Sequence, residues 1–298
     1  LDLQCGSALE SITAAAAKIE SGLADLVIAG GFESSSTQPV RMWNSNHPDY
    51  QEGKSYTVAK FIPDIQGEQV MLEGAEKTAL TENVTKAEMD PWVLLSHKRA
   101  AQAAKEGILS DIQFSIADSK KDEGLRPSMS QRLLDRLPCL LPGGSIITAA
   151  NACLMHDGAA FVVLCSEAYR KKHGLTPQAA SRFGTAIGSD PFMSPKTAVL
   201  AIRKLLKQTA LSIDEIYSLE VNEAFAVIDV LLEREFPGLR ERLNPLGGAL
   251  AYGHPYGASG AIILLHLLKD LELNQGRFGI CGVAAAGGIG TALLVEKV

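Results

Sequence analysis

The chain contains no C-x-x-C pair. Its five cysteines (Cys5, Cys139, Cys153, Cys165 and Cys281) are odd in number and far apart. That argues against a disulfide framework and against a zinc site or other metal, and for a reducing, cytoplasmic setting. Long blocks of like charge are missing too. The 28 basic and 34 acidic residues are interspersed and leave a net charge of −6, which argues against nucleic acid or an anionic membrane surface as the main partner. The first residues carry neither a basic n-region nor an apolar signal core. One stretch approaches membrane length, Phe278 to Val295, but it holds five glycines and a threonine. It reads as a turn-interrupted strand pair and not as a spanning helix.

What is present is enough apolar material for a large core, 46% of 298 residues, and the length suggests two packed units. The opening reads strand, turn, helix, strand. Asp2–Gln4 ends a strand, Ser7–Glu20 is helical by composition, and Gly22 stops the helix. Asp25–Gly31 is a short apolar run expected of a strand buried on both faces. From Glu33 to about Pro142 aromatics, prolines and charges mix, with helical pieces at Met71–Val84 and Pro91–Glu106; this is the pattern of a large insertion. Strands are expected at Ser145–Ala149, Ala159–Cys165 and Ile216–Val221. Helices are expected at Glu167–Lys172, Ser194–Gln208, Ala224–Glu235 and Ala258–Asp270, before a closing strand, glycine turn and strand.

Three separated motifs carry the chemistry. Gln4-Cys5-Gly6-Ser7 puts a cysteine on a tight turn before an alanine-rich helix. Asn222-Glu223-Ala224-Phe225-Ala226 supplies an amide, and Gly253-His254-Pro255 a histidine in a glycine-rich turn. A thiol needs a base or a helix N-terminus before it attacks a carbonyl well at neutral pH. Each residue also has a bland reading: Cys5 as a small buried hydrophobe, His254 as a structural histidine, Asn222 as a strand-end amide, Phe225 as plain core. A faint repeat favours the functional one. Cys5, helix and Ala29-Gly30-Gly31 match His254, helix and Ala286-Gly287-Gly288, which places the two polar residues at equivalent turns facing one cleft.

On these motifs, together with Ala29–Ser34, Ser96–Ala100, Asp122–Pro127, Thr148–Ala152 and Asp157–Ala159, the chain resembles the thiolase family, in its acetyl-CoA acetyltransferase and 3-ketoacyl-CoA thiolase branch. The resemblance runs almost end to end. It implies a duplicated five-layer α/β fold in which residues 1–35 and 155–175 form the remainder of an N-terminal half. Residues 36–154 would be a loop domain that holds coenzyme A, and 176–298 a C-terminal half. It also implies acyl transfer to or from coenzyme A through a thioester on Cys5, with no bound cofactor, in a homodimer or homotetramer. His254 would activate Cys5, and Asn222 would hold a water in the oxyanion site. The backbone N–H groups of Cys5 and Ala286 would serve a second oxyanion hole, and Cys153, Ala224 and Phe225 would meet the substrate or coenzyme A. Ketoacyl and hydroxymethylglutaryl synthases fit the Asn222 and His254 blocks poorly.

The chain departs from the family pattern in several places. The family's second cysteine, the acid/base of its condensation step, falls by gap-free spacing from His254 on Ala284. Cys281 lies three residues earlier, and an odd offset in a strand turns it to the other face. Either a bulge delivers Cys281 as a tentative acid/base or the group is absent; absence is favoured. A catalytically weak acyl-CoA binding or regulatory protein is therefore the rival reading. The Glu76–Asn83 segment keeps little of the family's histidine-methionine-glycine stretch, and Cys153 stands where a serine usually meets coenzyme A. The family also has a strand-helix-strand series before its nucleophile, whereas four residues precede Cys5. A sheet lacking that series is expected to expose an edge and apolar surface.

Overall fold

A computed structural model describes residues 1–58, 60–61, 69–116 and 122–298; the remaining positions, all inside the expected insertion, lie outside the described residues. Helix α1 (Ser7–Glu20) buries Ala8, Leu9, Ile12 and Ala15, one stripe at helical spacing. It ends where Gly22 takes φ +74 and Leu23 N–H bonds back to Lys18 O at 2.9 Å. Strand β1 (Leu26–Glu33) follows. In the insertion lie α2 (Val70–Thr81) and α3 (Lys86–Glu106). Helix α3 begins five residues before the expected Pro91 because Thr85 and Glu88 close a capping box at its N-terminus. The short α4 (Gln131–Leu134) precedes β2 (Gly158–Cys165), α5 (Glu167–His173) and β3 (Ala179–Gly188). The C-terminal part adds α6 (Thr197–Thr209), β4 (Ile216–Val221), α7 (Val227–Glu235), α8 (Ala249–Tyr252), α9 (Ser259–Asn274), β5 (Phe278–Ala285) and β6 (Ile289–Lys297).

Among the described residues the strands form two sheets: β1–β2, antiparallel, and a four-stranded sheet of order β3-β6-β5-β4 in which β4 and β5 run parallel. Strand alternation decides which core each side chain joins. Ile280, Ala284, Ala292 and Leu294 pack with Ala198, Ile202 and Leu205 of α6. Cys281, Val283, Ala285, Leu293 and Val295 point the other way, into a core with Leu9 and Ile12 of α1 and Leu264 and Leu267 of α9; Ala29 and Ala160 close that core from β1 and β2. The layers therefore run α6, four-stranded sheet, α1 with α9, two-stranded sheet. That is the expected five-layer α/β order through its fourth layer. The unit α1-β1-β2 repeats as α9-β5-β6, each a helix leading into an antiparallel pair.

Three expectations are corrected. Ser145–Ala149 is not a strand: the N–H groups of Ser145, Ile146 and Ile147 bond the carboxylate of Glu76 at 2.6, 3.1 and 2.9 Å, so they are unavailable to a ladder. Strand β3, whose small and polar residues carry no alternation, went unread. The β1 strand is buried on one face only. Ile28 (70% exposed), Phe32 (73%), Phe161 (51%) and Val163 (67%) form an uncovered apolar face opposite the α1/α9 core.

The two helices cross closely because α9 offers glycine where they touch. A Cβ on Gly260 would stand 2.4 Å from Leu9 N, a contact with backbone that cannot rotate away. Gly260→Ala is expected to destabilise the chain by roughly 1–3 kcal/mol. Gly188→Ala, where nothing lies within 4 Å, should stay within about 0.5 kcal/mol. Urea unfolding of both variants checks this, and equal midpoints would refute the close crossing.

Candidate active site

Cys5 sits just before the first turn of α1, in a loop stitched by its own polar groups. Ser7 Oγ accepts from Leu3 N–H at 2.8 Å and donates to Gln4 O at 2.7 Å. Gln4 holds φ +53, a left-handed conformation that a non-glycine residue adopts at a cost. The turn lies on β6, where a Cβ at Gly6 would meet Thr291 Cγ2 at 3.3 Å. The Ala286 N–H, on the glycine turn after β5, acts on the Cys5 sulfur and favours its thiolate. Burial nevertheless dominates and pushes the thiol up to about 12, so Cys5 rests as the thiol despite the helix N-terminus.

The close crossing of α1 and α9 brings the loop before α9 to the same end. Within it His254 is buried, with its ring 4.7 Å from that of Tyr256. Its Nε2 lies 3.2 Å from Asn222 Nδ2, and its Nδ1 lies 2.6 Å from Ser259 Oγ. Burial holds the imidazole at about 3, so His254 is neutral. Tyr256 is raised by burial and then by the neighbouring sulfurs of Cys153 and Cys5 and by Glu33, which marks these groups as one neighbourhood. Glu33 Oε2 accepts from Gly257 N–H at 3.0 Å and ties β1 to the histidine loop.

Backbone contacts hold the remaining candidates in place. Cys153 N–H donates to Ala224 O at 2.9 Å, and His254 N–H donates to Leu154 O at 2.8 Å. Partly buried Cys153 is thus clamped between the Asn222 motif and the His254 loop, and burial pushes its thiol up. Asn222 N–H bonds Gly282 O at 3.0 Å, which fixes the motif on the end of β4. Ala224 and Phe225 are buried, 4% and 6% exposed, and pack in the core with α6 and α7. Cys281 is fully buried in the α1/α9 core. The β5–β6 register runs unbroken from Phe278↔Glu296 to Ala285↔Ile289. No bulge therefore carries Cys281 toward the site, and Ala284 keeps the position that spacing gives it.

Sequence reasoning missed several supporting residues. Asn244 continues β4 with its side chain, accepting from Val221 N–H at 2.7 Å and donating to Val221 O at 3.0 Å. Glu223 Oε2 accepts from Ser96 Oγ–H at 2.6 Å, and Ser96 accepts from Gly248 N–H at 3.1 Å; α3 and α8 are joined through the motif next to Asn222. Arg99 donates to Leu243 O at 2.7 Å and Arg240 O at 3.0 Å. Ser96 and Arg99 belong to the Ser96–Ala100 stretch that carries the resemblance and stand three apart on one helix face, but their partners were not legible in it. Among the described residues no group of three or more His, Cys, Asp or Glu could hold a metal ion, and no helix is long and apolar enough to cross a membrane.

Comparison with known proteins gives the family and the fold. The family model "Thiolase, N-terminal domain" matches residues 1–168 and "Thiolase, C-terminal domain" residues 175–297. A beta-ketoadipyl-CoA thiolase of Escherichia coli is 33% identical over 99% of this chain and 78% of its own length. A steroid 3-ketoacyl-CoA thiolase of Mycobacterium tuberculosis is 33% identical over 100% and 74%. The crystal structure of human mitochondrial 3-ketoacyl-CoA thiolase in complex with CoA superposes with a TM-score of 0.91 at 30% identity, covering 100% of this chain and 77% of that one.

One buried acid beside the site yields a prediction. Glu220 on β4 is 0% exposed and neither carboxyl oxygen has a hydrogen-bond partner. Burial, then Asp270 and Glu223, raise it well above the ordinary range, with Arg99 as the counteracting charge. A raised folded-state value means that its stabilising contribution is full below the unfolded value of about 4.3 and is lost as pH rises toward the folded value. Glu220→Gln carries no such loss. Its stability relative to the native chain should rise between pH 4 and pH 8, by up to about 1.4 kcal/mol per pH unit. Denaturant unfolding across that range checks it; a pH-independent difference would contradict the buried neutral acid.

Proposed function

Because the chain belongs to the thiolase family, we propose that this acyltransferase works through a thioester on Cys5, exchanging acyl groups with coenzyme A by thiolysis or condensation of 3-ketoacyl-CoA. One observation carries the reading: the Cys5 sulfur lies at the start of α1 with the Ala286 N–H acting on it, and it shares the neighbourhood of Tyr256, whose ring is 4.7 Å from that of His254. His254 takes the thiol proton as sulfur attacks the acyl carbon, and the departing coenzyme A thiolate takes it up. Donors that meet the developing oxyanion are the backbone N–H of Cys5 and Ala286. Asn222 Oδ1, buried and without a protein partner, is the acceptor suited to a water in the first oxyanion site. Cys153 lines the way for the coenzyme A thioester, whereas Ala224 and Phe225 support it from behind. The complexes of two thiolases with coenzyme A, from human mitochondria and Ascaris suum, fit a chain that takes coenzyme A as substrate and holds no resident cofactor. Five free thiols suit a reducing compartment such as the cytoplasm.

The second half-reaction is the weak point. It needs a proton carrier at the substrate carbon, worth roughly 10²–10⁴-fold, and Ala284 supplies none. This favours an enzyme that acylates readily and completes turnover slowly, and it keeps an acyl-CoA binding role as the second reading. Incubation with acetyl-CoA should add one acetyl group, located by mass spectrometry on the Cys5 peptide and absent from Cys5→Ala. An adduct confined to Cys153 or Cys281 would reject the assignment. Ala284→Cys should raise steady-state thiolysis at least tenfold with little change in the acylation burst, while Cys281→Ala leaves both within a few-fold. Abolished turnover in Cys281→Ala would reverse that reading.

The uncovered face of β1–β2, with Ile28, Phe32, Phe161 and Val163, supports self-association into a dimer or tetramer. Light scattering at micromolar concentration should give a mass of at least twice 31.7 kDa; a stable monomer would exclude it.

A further inference from the structure

The buried side of His254 is met by neutral groups alone. Its Nδ1 lies 2.6 Å from Ser259 Oγ, and no carboxylate figures among the groups acting on the ring. Ser259 is the first residue of α9 and 3% exposed. Its hydroxyl donates to Pro255 O at 2.9 Å. A serine hydroxyl has one proton. When that proton is given to the carbonyl, the oxygen facing Nδ1 accepts, and Nδ1 carries the ring proton. On the opposite side Asn222 Nδ2 approaches Nε2 at 3.2 Å as a donor, which requires a lone pair there. One arrangement satisfies both ends of the ring: Asn222 N–H to Nε2, Nδ1–H to Ser259 Oγ, and Oγ–H to Pro255 O.

We propose that Ser259, relaying to the Pro255 carbonyl, is the positioning residue that holds His254 in the Nδ1–H tautomer with Nε2 presented as the base for Cys5. The inference rests on the acyl-Cys5 reading and deepens it. In the attack the Cys5 S–H proton passes to Nε2 while the sulfur pair forms the bond to the acyl carbon. The carbonyl pair moves to oxygen and returns as the C–S bond to coenzyme A breaks, and that thiolate leaves with the proton from Nε2. For the interval in which both ring nitrogens are protonated, Nδ1–H still has an acceptor, and that acceptor still has one. The long Asn222 contact yields Nε2 to the incoming proton. A serine serves here in place of a carboxylate. A carboxylate would make the imidazole more basic at rest, whereas a hydroxyl with a carbonyl behind it leaves the ring neutral and still accepts from Nδ1–H when the charge forms.

The device is local to the loop. Pro255 O also accepts from Ala258 N–H and Ser259 N–H, each at 2.9 Å, so the carbonyl is held by the turn that starts α9. The sequence Gly253–Ser259 therefore encodes both the base and the group that fixes its tautomer, five residues apart.

Ser259→Ala and Ser259→Thr in the full chain test this by two readouts. The first is the rate of acetyl transfer from acetyl-CoA to Cys5, followed by quenched intact mass. The second is nitrogen-15 NMR of histidine-labelled protein, with His254→Asn assigning the His254 signals. The native chain should show the Nδ1–H pattern at His254. Ser259→Ala should lose it and acylate on the order of 10²-fold more slowly, and Ser259→Thr, which keeps the hydroxyl, should recover both to within a few-fold. Unchanged His254 signals in Ser259→Ala, or an Nε2–H pattern in the native chain, would overturn the proposal. If the native chain forms no acetyl-Cys5 at all, the acyltransfer reading fails, and the NMR comparison still decides the role of Ser259.

Discussion

The contact on which the rest depends is the crossing of α1 and α9 at Leu9 and Gly260. A helix N-terminus is useful to a nucleophile only if something reactive faces it, and here each of the two helices is preceded by a turn carrying one reactive side chain. Without glycine at position 260 the axes would separate, and the turns with them. A second close approach reinforces the first: a Cβ on Gly31 would stand 1.9 Å from Gly257 O, so β1 and the histidine loop meet backbone to backbone. The turns of Cys5 and His254, 249 residues apart in sequence, are brought to one end of the helix pair by two close approaches, in each of which a glycine meets backbone.

The same close packing sets the electrostatics. Taking Cys5 and His254 out of water moves their values apart, toward 12 and 3, so the resting site is a neutral thiol and a neutral imidazole. Charge separation between them is then a transient of the reaction. This makes pre-placed neutral donors valuable: the Ala286 N–H at sulfur, the Asn222 amide and the Ser259 hydroxyl at the ring need not reorganise as charge appears. An ion pair at rest would have needed a nearby counter-charge. Burial alone shifts the His254 ring, and the carboxylate that acts on Cys5, Glu33, raises the thiol further and so opposes a thiolate.

Sequence pattern made much of this legible. Alanine-rich Ser7–Glu20 and apolar Ile216–Val221 fall where expected because local pattern and tertiary burial agree. The repeat of Cys5 and His254 before small-residue helices foretold the layered duplication, and gap-free spacing placed Ala284 where the unbroken β5–β6 register keeps it. What stayed hidden depended on partners distant in sequence. Ser145–Ile147 read as a strand until Glu76, some seventy residues earlier, claimed their N–H groups. The β1 strand read as doubly covered because an apolar run reports its affinity for cover and not the presence of cover. Ser96, Asn244 and Ser259 are ordinary polar residues in sequence; their meaning lies wholly in which buried groups they satisfy.

Ala284 shows how such a fold can lose chemistry without losing structure. On that face of β5 the neighbours are small: Gly290 pairs with Ala284 and Gly282 with Ala292, and Ile202 of α6 fills the space over Gly282. Replacing a thiol by a methyl there removes one polarizable atom from a layer already built of alanine and glycine, a change the packing absorbs at little cost. Cys5 is different, because the Ala286 N–H acts on its sulfur and its turn holds Gln4 in a costly conformation. In the proposed reaction the first half would rest on that strained turn, and the second on one side chain in a tolerant layer. On the proposed reading, position 5 carries the group that the first half-reaction needs, and position 284 carries none for the second.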